Sequence, residues 1–222
     1  MRLCRLIAGS LATSTLLIAA ALPAKATDED FELWLNPSAV AALDEDTEIE
    51  FETAQRFRDS DRGRADTYFG RLWLAQGIAD NMTLAGAAER RINDGGSNET
   101  RTMQQLSTRH GIIRTRLRLE QRFVDNADRM GLRLRPRLGV SVPVGGVEGL
   151  SFKADAELFW TLRGNNVGSD EGITGLRNQI GLGYDLSDSV SLSAVYLRQQ
   201  DFEDNAPDEI GHAPLIGVTF AF

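Results

Sequence analysis

After its first 26 residues, the 222-residue sequence has no apolar run long enough to form a membrane-spanning helix. It has one cysteine, Cys4, which excludes a disulfide framework, and two histidines, His110 and His212, without zinc-ligand spacing. The 24 basic residues are outnumbered by 32 acidic ones, and the formal net charge of −8 disfavours nucleic acid as a partner. We therefore predict no metal, no cofactor and no nucleic-acid partner.

The first 26 residues have the layout of a cleaved secretory signal. A basic start is followed by an apolar stretch over 6–22 and then by small residues up to Ala26. A retained membrane anchor is the alternative, but the stretch is short for a span and an acidic segment follows it directly. Cys4 precedes the apolar stretch, whereas a lipoprotein signal needs its cysteine after that stretch. We predict a cleaved signal peptide over 1–26 and a cysteine-free outer-membrane domain over 27–222.

The rest of the chain divides into segments in which apolar and polar residues alternate, as they do in β-strands. We predict strands over 31–43, 47–58, 65–78, 82–93, 101–110, 112–123, 131–144, 150–162, 174–187, 190–202 and 212–222. The alternation is weakest in the fourth and fifth segments, where Glu89, Arg90 and Arg91, and then Gln104 and Gln105, interrupt it.

The connections between these segments alternate in length. Tight turns are predicted at 44–46, 79–81, 110–111, 145–149 and 187–189, and wider polar connections at 59–64, 94–100, 124–129, 163–173 and 203–211. Short periplasmic turns on one rim and longer extracellular loops on the other are typical of a transmembrane barrel. We predict an all-β fold, a single antiparallel transmembrane β-barrel of about 10 to 12 strands. Because such barrels usually have an even strand count, we expect either that Pro37 splits the first segment into two short strands, giving about twelve, or that this segment lies outside the wall, leaving about ten.

Charged residues occupy one face of several consecutive strands, and apolar residues occupy the other. In a soluble protein the apolar face would form the core, whereas in a membrane barrel the charged face lines the lumen. Few large apolar residues fall on the charged face, which favours the barrel. The lumen-lining candidates are Arg114, Arg116, Arg118, Glu120, Arg122, Arg133, Arg135, Arg137, Asp155 and Glu157.

The last strand places apolar residues at every second position and ends on an aromatic residue. This pattern resembles the C-terminal signal by which outer-membrane barrels are recognised for insertion, carried here by Ile216, Val218, Phe220 and Phe222. We therefore expect the barrel assembly machinery to be a partner through this strand. The expected surroundings are the lipid and lipopolysaccharide of the outer membrane of a Gram-negative bacterium.

The segment Arg116–Phe123, followed by the strand that carries Arg133, Arg135 and Arg137 and ends near Pro143, resembles a known family. It looks like the central signature of an uncharacterised bacterial outer-membrane β-barrel family, known only as a domain of unknown function. The resemblance covers essentially all of the predicted mature chain. It implies an architecture and a location, and it brings no substrate, reaction or catalytic residue.

The charged lumen permits two functions, a structural barrel or a narrow porin-like channel. In the channel, the arginines would form a positive stripe that favours small anions or acidic solutes, with Glu48, Glu50 and Glu52 elsewhere on the wall. In the structural barrel, Glu120, Asp155 and Glu157 would neutralise the arginines in a network that packs the lumen. The sequence favours the network, because unpaired buried charge is costly and cross-strand partners are available.

Two further classes compete with these. One is a soluble periplasmic β-barrel that binds an apolar ligand. The other is an outer-membrane hydrolase, which needs a base beside a nucleophile. His110 lies at a predicted periplasmic turn, and His212 follows an acidic loop that contains Asp208 and Glu209. No His-x-Ser pair is present, so we predict no catalytic residue and no enzymatic activity.

Overall fold

The computed structural model describes residues 27–58 and 66–222, so the predicted signal peptide and part of the first wide loop lie outside the described residues. The strands are β1 (Thr27–Phe31), β2 (Leu33–Ala42), β3 (Thr47–Phe57), β4 (Thr67–Ala79), β5 (Met82–Asn93), β6 (Glu99–His110), β7 (Ile113–Val124), β8 (Gly131–Pro143), β9 (Leu150–Arg163), β10 (Gly172–Ser187), β11 (Val190–Asp201) and β12 (Asp208–Ala221). Among the described residues there is no helix long and apolar enough to cross a membrane.

The strands form one closed sheet. From β2 to β12 each strand pairs antiparallel with the next, and β12 then pairs in parallel with both β1 and β2. Only Glu32 separates β1 from β2, and the two lie in succession along β12, so together they form one wall strand. The barrel therefore has eleven wall strands, which confirms the predicted all-β barrel and its strand range.

The parallel closure explains the odd count. Each hairpin reverses the chain direction, so the first and last strands of an eleven-strand barrel run the same way. Pro37 stays in register within β2, opposite Val218 of β12, and the interruption lies at Glu32 instead. Both alternatives, a split at Pro37 and a first segment outside the wall, were wrong, because the parallel pairing with β12 closes the barrel without an even count.

The two rims of the barrel differ as the sequence predicts. The short-turn rim carries the connections 43–46, 80–81, 111–112, 144–149 and 188–189, and the long-loop rim carries 58–66, 94–98, 125–130, 164–171 and 202–207. Local hydrogen bonds fix the turns. Asp44 Oδ1 accepts hydrogen bonds from the backbone N–H groups of Asp46 (3.0 Å) and Thr47 (2.8 Å). Hydrogen bonding to Thr47 and Asp46 lowers the pKa of the Asp44 carboxyl.

The apolar face of the wall points outwards. Large side chains on it are substantially exposed, including Leu72 (49%), Leu138 (62%), Trp160 (47%) and Leu182 (45%). The inward face carries buried charged residues, and its apolar clusters are small: one around Trp34 and Leu197, another around Trp73 and Met103. A surface with this many exposed apolar side chains is costly in water.

Candidate functional site: the arginine-lined lumen

Strand register brings the predicted charged residues together inside the barrel. Arg116 lies opposite Arg137, and Glu120 opposite Arg133, across β7 and β8. Nine of the ten lumen candidates lie in this interior set: Arg116, Arg118, Glu120, Arg122, Arg133, Arg135, Arg137, Asp155 and Glu157. Arg114 lies at the short-turn rim, where it donates hydrogen bonds to the carbonyl oxygens of Gly111 and Ile113.

Two glutamates act as hubs on one side of the lumen. Glu120 contacts Arg133 and Arg135, each at 2.7 Å, and Arg101 at 3.9 Å. Glu157 contacts Arg135 at 2.6 Å, Arg177 at 3.7 Å and also Arg116. Each carboxylate thus serves several guanidinium groups, and Arg135 links the two hubs. Arg137 pairs separately with Asp155.

The network continues on the other side of the lumen, where it joins the candidate Arg122 and the predicted wall residue Glu52 to residues that the sequence analysis did not select, namely Arg71, Glu89, Arg91, Glu99 and Arg101. Glu89 contacts Arg71 and Arg91, and Glu99 contacts Arg101 (2.5 Å) and Arg122 (2.6 Å). Arg71 also reaches Glu52 at 2.8 Å. Ion pairs therefore link the lumen faces of β3 to β10. The sequence pattern that could have identified these residues is the two-residue spacing of Glu89 with Arg91 and of Glu99 with Arg101, which places both members of each pair on one face of a strand. The outward-facing Arg90, between Glu89 and Arg91, obscured this pattern.

Aromatic side chains also face the lumen, against the expectation of few large apolar residues there. Trp34, Phe69, Trp73 and Phe159 each lie under at least one guanidinium group. The shortest distance is 3.7 Å, from Arg56 Cζ to the centre of the Trp34 ring. Since a planar guanidinium stacks well on an aromatic ring, these rings pack against the charged network, and Trp34 and Trp73 also pack against the small apolar clusters described above.

A cavity of about 570 Å³ occupies the middle of the lumen. Eleven of its lining residues are arginines and four are glutamate or aspartate. Glu48, Ala75 and Thr83 also line a cavity of about 510 Å³ at the short-turn rim. Arg133 and Asp201 also line a cavity of about 490 Å³ at the long-loop rim. The three cavities therefore follow one another from rim to rim.

Positive charge on the cavity wall is only partly neutralised. Among the described residues, Arg56 and Arg118 line the cavity without a carboxylate in salt-bridge distance, although they are only 8% and 6% exposed. Arg118 donates two hydrogen bonds to Gln105 Oε1, at 2.9 and 2.7 Å, and Arg56 Nε has no acceptor. An anion in the cavity would meet two guanidinium groups that form no salt bridge with a carboxylate of the described residues. A wall of this kind offers little to an apolar ligand.

Neither histidine has the surroundings of a catalytic base. His110, at the end of β6, lies 3.2 Å from Asn81 Nδ2, and His212 lies 2.6 Å from the hydroxyl of Tyr196 on the outer face. Within residues 27–58 and 66–222, neither imidazole is hydrogen-bonded to a serine or a carboxylate. The same residues contain no group of three His, Cys, Asp or Glu side chains placed to hold a metal ion.

The four residues proposed as an assembly signal lie at the short-turn end of β12. Ile216 and Phe220 are exposed on the outer face, at 42% and 44%. Val218 shares that face by alternation, and the backbone N–H of Phe222 donates to the carbonyl of Val40 on β2 at 3.0 Å. These positions are open to lipid or to a partner, and their role in assembly stays a prediction.

Comparison with known proteins gives a family. A family model described as "Protein of unknown function (DUF2490)" matches residues 31–209. A solved structure described as "Unveiling the Mechanism Behind the in-meso Crystallization of Membrane Proteins" is similar over 81% of this chain and 78% of that chain, with 12% sequence identity and a TM-score of 0.43. No curated protein matches the chain.

Proposed function

We propose that the chain, which belongs to the DUF2490 family of unknown function and folds into a closed β-barrel, is an outer-membrane barrel that lets small anions pass through its lumen. The observation that carries the proposal is the central cavity, which eleven arginines line and which adjoins a cavity at each rim. A pore lined by one sign of charge favours ions of the opposite sign.

The outward apolar face supports the membrane part of the proposal. Leucine, isoleucine and aromatic side chains that are costly to expose to water would contact lipid, and the charged network would be enclosed by the wall. The predicted signal over 1–26 would export the chain, and the apolar end of β12 would bind the assembly machinery. Lipid and lipopolysaccharide would surround the finished barrel.

Barrel size supports a narrow passage. A lumen of about eight strands is filled by side chains, whereas one of about sixteen strands leaves an open channel. Eleven strands lie between these sizes, and the arginine side chains that cross the lumen reduce the free space further. We therefore expect low conductance and anion selectivity.

The ion-pair network supports a second candidate, a barrel with a structural role and no transport. Glu89, Glu99, Glu120 and Glu157 each contact two or more arginines, and such a network holds neighbouring strands in register. In this case the cavities at the two rims would be separated by side chains that do not move.

Two measurements test the proposals in order. Outer-membrane fractionation and heat-modifiable migration on a gel test the membrane barrel; recovery in the soluble periplasmic fraction would contradict it. Planar-bilayer recording of the folded protein then tests the passage. Small current steps, with a reversal potential that shows anion selectivity in a salt gradient, are expected. A correctly folded barrel that gives no current above background would leave the structural role and overturn the passage.

A further inference from the structure

Arg56 is the lumen arginine with the fewest polar partners. It lies on β3 with 8% of its surface exposed, and its Cζ is 3.7 Å from the centre of the Trp34 ring and 5.5 Å from that of Phe69. Stacking fixes the plane of the guanidinium but uses none of its N–H donors. Its Nε has no acceptor, and Arg56 lines the central cavity. The N–H edge of the Arg56 guanidinium is therefore held in a fixed orientation and is not occupied by an acceptor.

Two other arginines lie around the same rings. Arg177 Cζ is 5.1 Å from the Trp34 ring centre, and Arg91 Cζ is 4.9 Å from the Phe69 ring centre. Arg91 is held by Glu89 through two hydrogen bonds, at 3.1 and 3.0 Å. Arg177 donates two hydrogen bonds to the neutral Gln199 Oε1, and among the described residues the carboxylate within salt-bridge distance of it is Glu157, at 3.7 Å, which also pairs with two closer arginines. Positive charge is thus in local excess.

The acidic residue nearest in sequence to Trp34 is already engaged. Glu32 accepts a hydrogen bond from the Trp34 indole N–H and pairs with Arg58 at 3.1 Å. It therefore holds Trp34 in place beneath Arg56 while its charge is shared with Arg58. The Trp34 ring, on which Arg56 stacks, is thus held by its hydrogen bond to Glu32, and it also lines the central cavity.

A buried guanidinium without a carboxylate is unfavourable, because arginine stays protonated and loses its hydration on burial. A bound oxyanion would remove this cost, since two of its oxygens can accept parallel hydrogen bonds from the guanidinium edge. A monatomic anion such as chloride has no pair of oxygens to accept hydrogen bonds from the two parallel N–H groups of the guanidinium, which we call the guanidinium fork. The cavity of about 570 Å³ is in the range of small-molecule sites.

We propose that Arg56, stacked on Trp34 and flanked by Arg91 and Arg177, binds the carboxylate or phosphate group of a small solute in the lumen. This site rests on the proposed function, in which such solutes enter the barrel, and it adds the class of anion. Phosphate and carboxylate share the geometry that the fork recognises, so the experiment compares them.

Tryptophan fluorescence gives a direct readout, because Trp34 touches the proposed site. Trp160 faces outwards, and a Trp160→Phe background removes its signal, so that the remaining signal comes from Trp34 and Trp73, which both line the cavity. The folded protein in detergent is titrated with inorganic phosphate, succinate and chloride at constant ionic strength. Equilibrium dialysis with radiolabelled phosphate and succinate measures binding independently of fluorescence. Saturable binding of phosphate or succinate, with none for chloride, is expected; no saturable binding of either oxyanion to the unmodified site would overturn the proposal.

Variants locate the binding. Arg56→Gln is expected to weaken oxyanion binding about tenfold or more, the typical effect of losing hydrogen bonds to a charged group. Arg56→Lys keeps the charge without the fork and should restore only part of the affinity. Arg90→Gln, which removes an exposed arginine paired with Asp125 on the outer face, is the charge-matched control and should leave binding unchanged. Equal affinities in Arg56→Gln and Arg90→Gln would contradict the site.

The anion passage and the Arg56 binding site can be contradicted independently of each other. Current without saturable oxyanion binding would overturn the Arg56 site and leave the passage. Oxyanion binding that Arg56→Gln weakens, in a barrel that carries no current, would overturn the passage and leave the binding site. Heat-modifiable migration of each variant shows that it has folded before either result is counted.

Discussion

Arg118 and Arg135 lie directly opposite each other on β7 and β8, yet only Arg135 is paired with acid. Arg135 donates to Glu120 at 2.7 Å and to Glu157 at 2.6 Å, whereas Arg118 donates to the neutral Gln105 and stacks 4.8 Å from the centre of the Trp73 ring. Like charges at directly opposite positions repel. The lumen tolerates the pair because one arginine is bound by two carboxylates and the other remains directed at the cavity.

The first prediction concerns Glu120, which is fully enclosed by arginines. Glu120→Gln keeps the size of the side chain but removes the charge that balances Arg133 and Arg135. Breaking a buried pair typically costs about 3–5 kcal/mol, so we expect the free energy of unfolding to fall by about this amount. Urea unfolding of the folded barrel in lipid vesicles measures it. Asp125→Asn, which breaks the exposed pair with Arg90, should cost less than about 1 kcal/mol. Equal losses would contradict the structural role of the network.

The sequence predicted most strand positions to within a few residues, because alternation and turn residues are local signals. The sequence could not predict which strands pair to close the barrel, since nothing in Trp34–Val40 indicates a parallel partner strand about 180 residues later. Phe159 and Trp160 show a second property that the sequence alone does not predict, namely why an aromatic side chain faces the lumen. Alternation places one inside and one outside, but only the three-dimensional arrangement of Arg133, Arg135 and Arg177 around Phe159 explains an aromatic residue in a charged lumen.

The second prediction tests the parallel closure. Ser38 on β2 lies opposite Thr219 on β12, and their hydroxyl oxygens are 3.1 Å apart. In a Cys4→Ser background, a Ser38→Cys, Thr219→Cys double variant should form a disulfide on mild oxidation and lock the barrel, so that it stays compact on a gel after heating without reductant. Ser38→Cys with Ser193→Cys is the control, because Ser193 lies on β11, one strand beyond β12. No cross-link in the first variant, or a cross-link in both, would contradict the register.

The third prediction tests the path between the central cavity and the short-turn rim. Ala75 lines both cavities, so a bulky side chain there would fill their junction. Ala75→Trp should abolish or strongly reduce the current if anions pass along the lumen, while the barrel still migrates as a folded species. Ala88→Trp is the matched control, because Ala88 is exposed on the outer face of β5. Current that is unchanged in Ala75→Trp would show that the path does not run through this junction.

The last prediction concerns pH at the long-loop rim. Burial raises the pKa of Glu203 above its ordinary value of 4.5, and the charges of Asp170, Glu209, Asp201 and Asp208 raise it further. Because the folded protein binds this proton more tightly than the unfolded chain does, folding stability from this group increases as the pH falls through the raised pKa. The same protonation removes a negative charge from the rim cavity that Glu203 lines.

Anion selectivity should therefore rise as the pH falls from neutral towards the raised pKa of Glu203, because the carboxyl gains its proton there. Reversal potentials in a salt gradient measure this change. Glu203→Gln should give higher anion selectivity at the upper pH and a weaker response to acid, because the charge is already absent. Glu45→Gln, in a turn on the opposite rim, should keep the pH response of the unmodified protein. A full pH response in Glu203→Gln would assign the titration to another group, since the neutral side chain can no longer gain a proton.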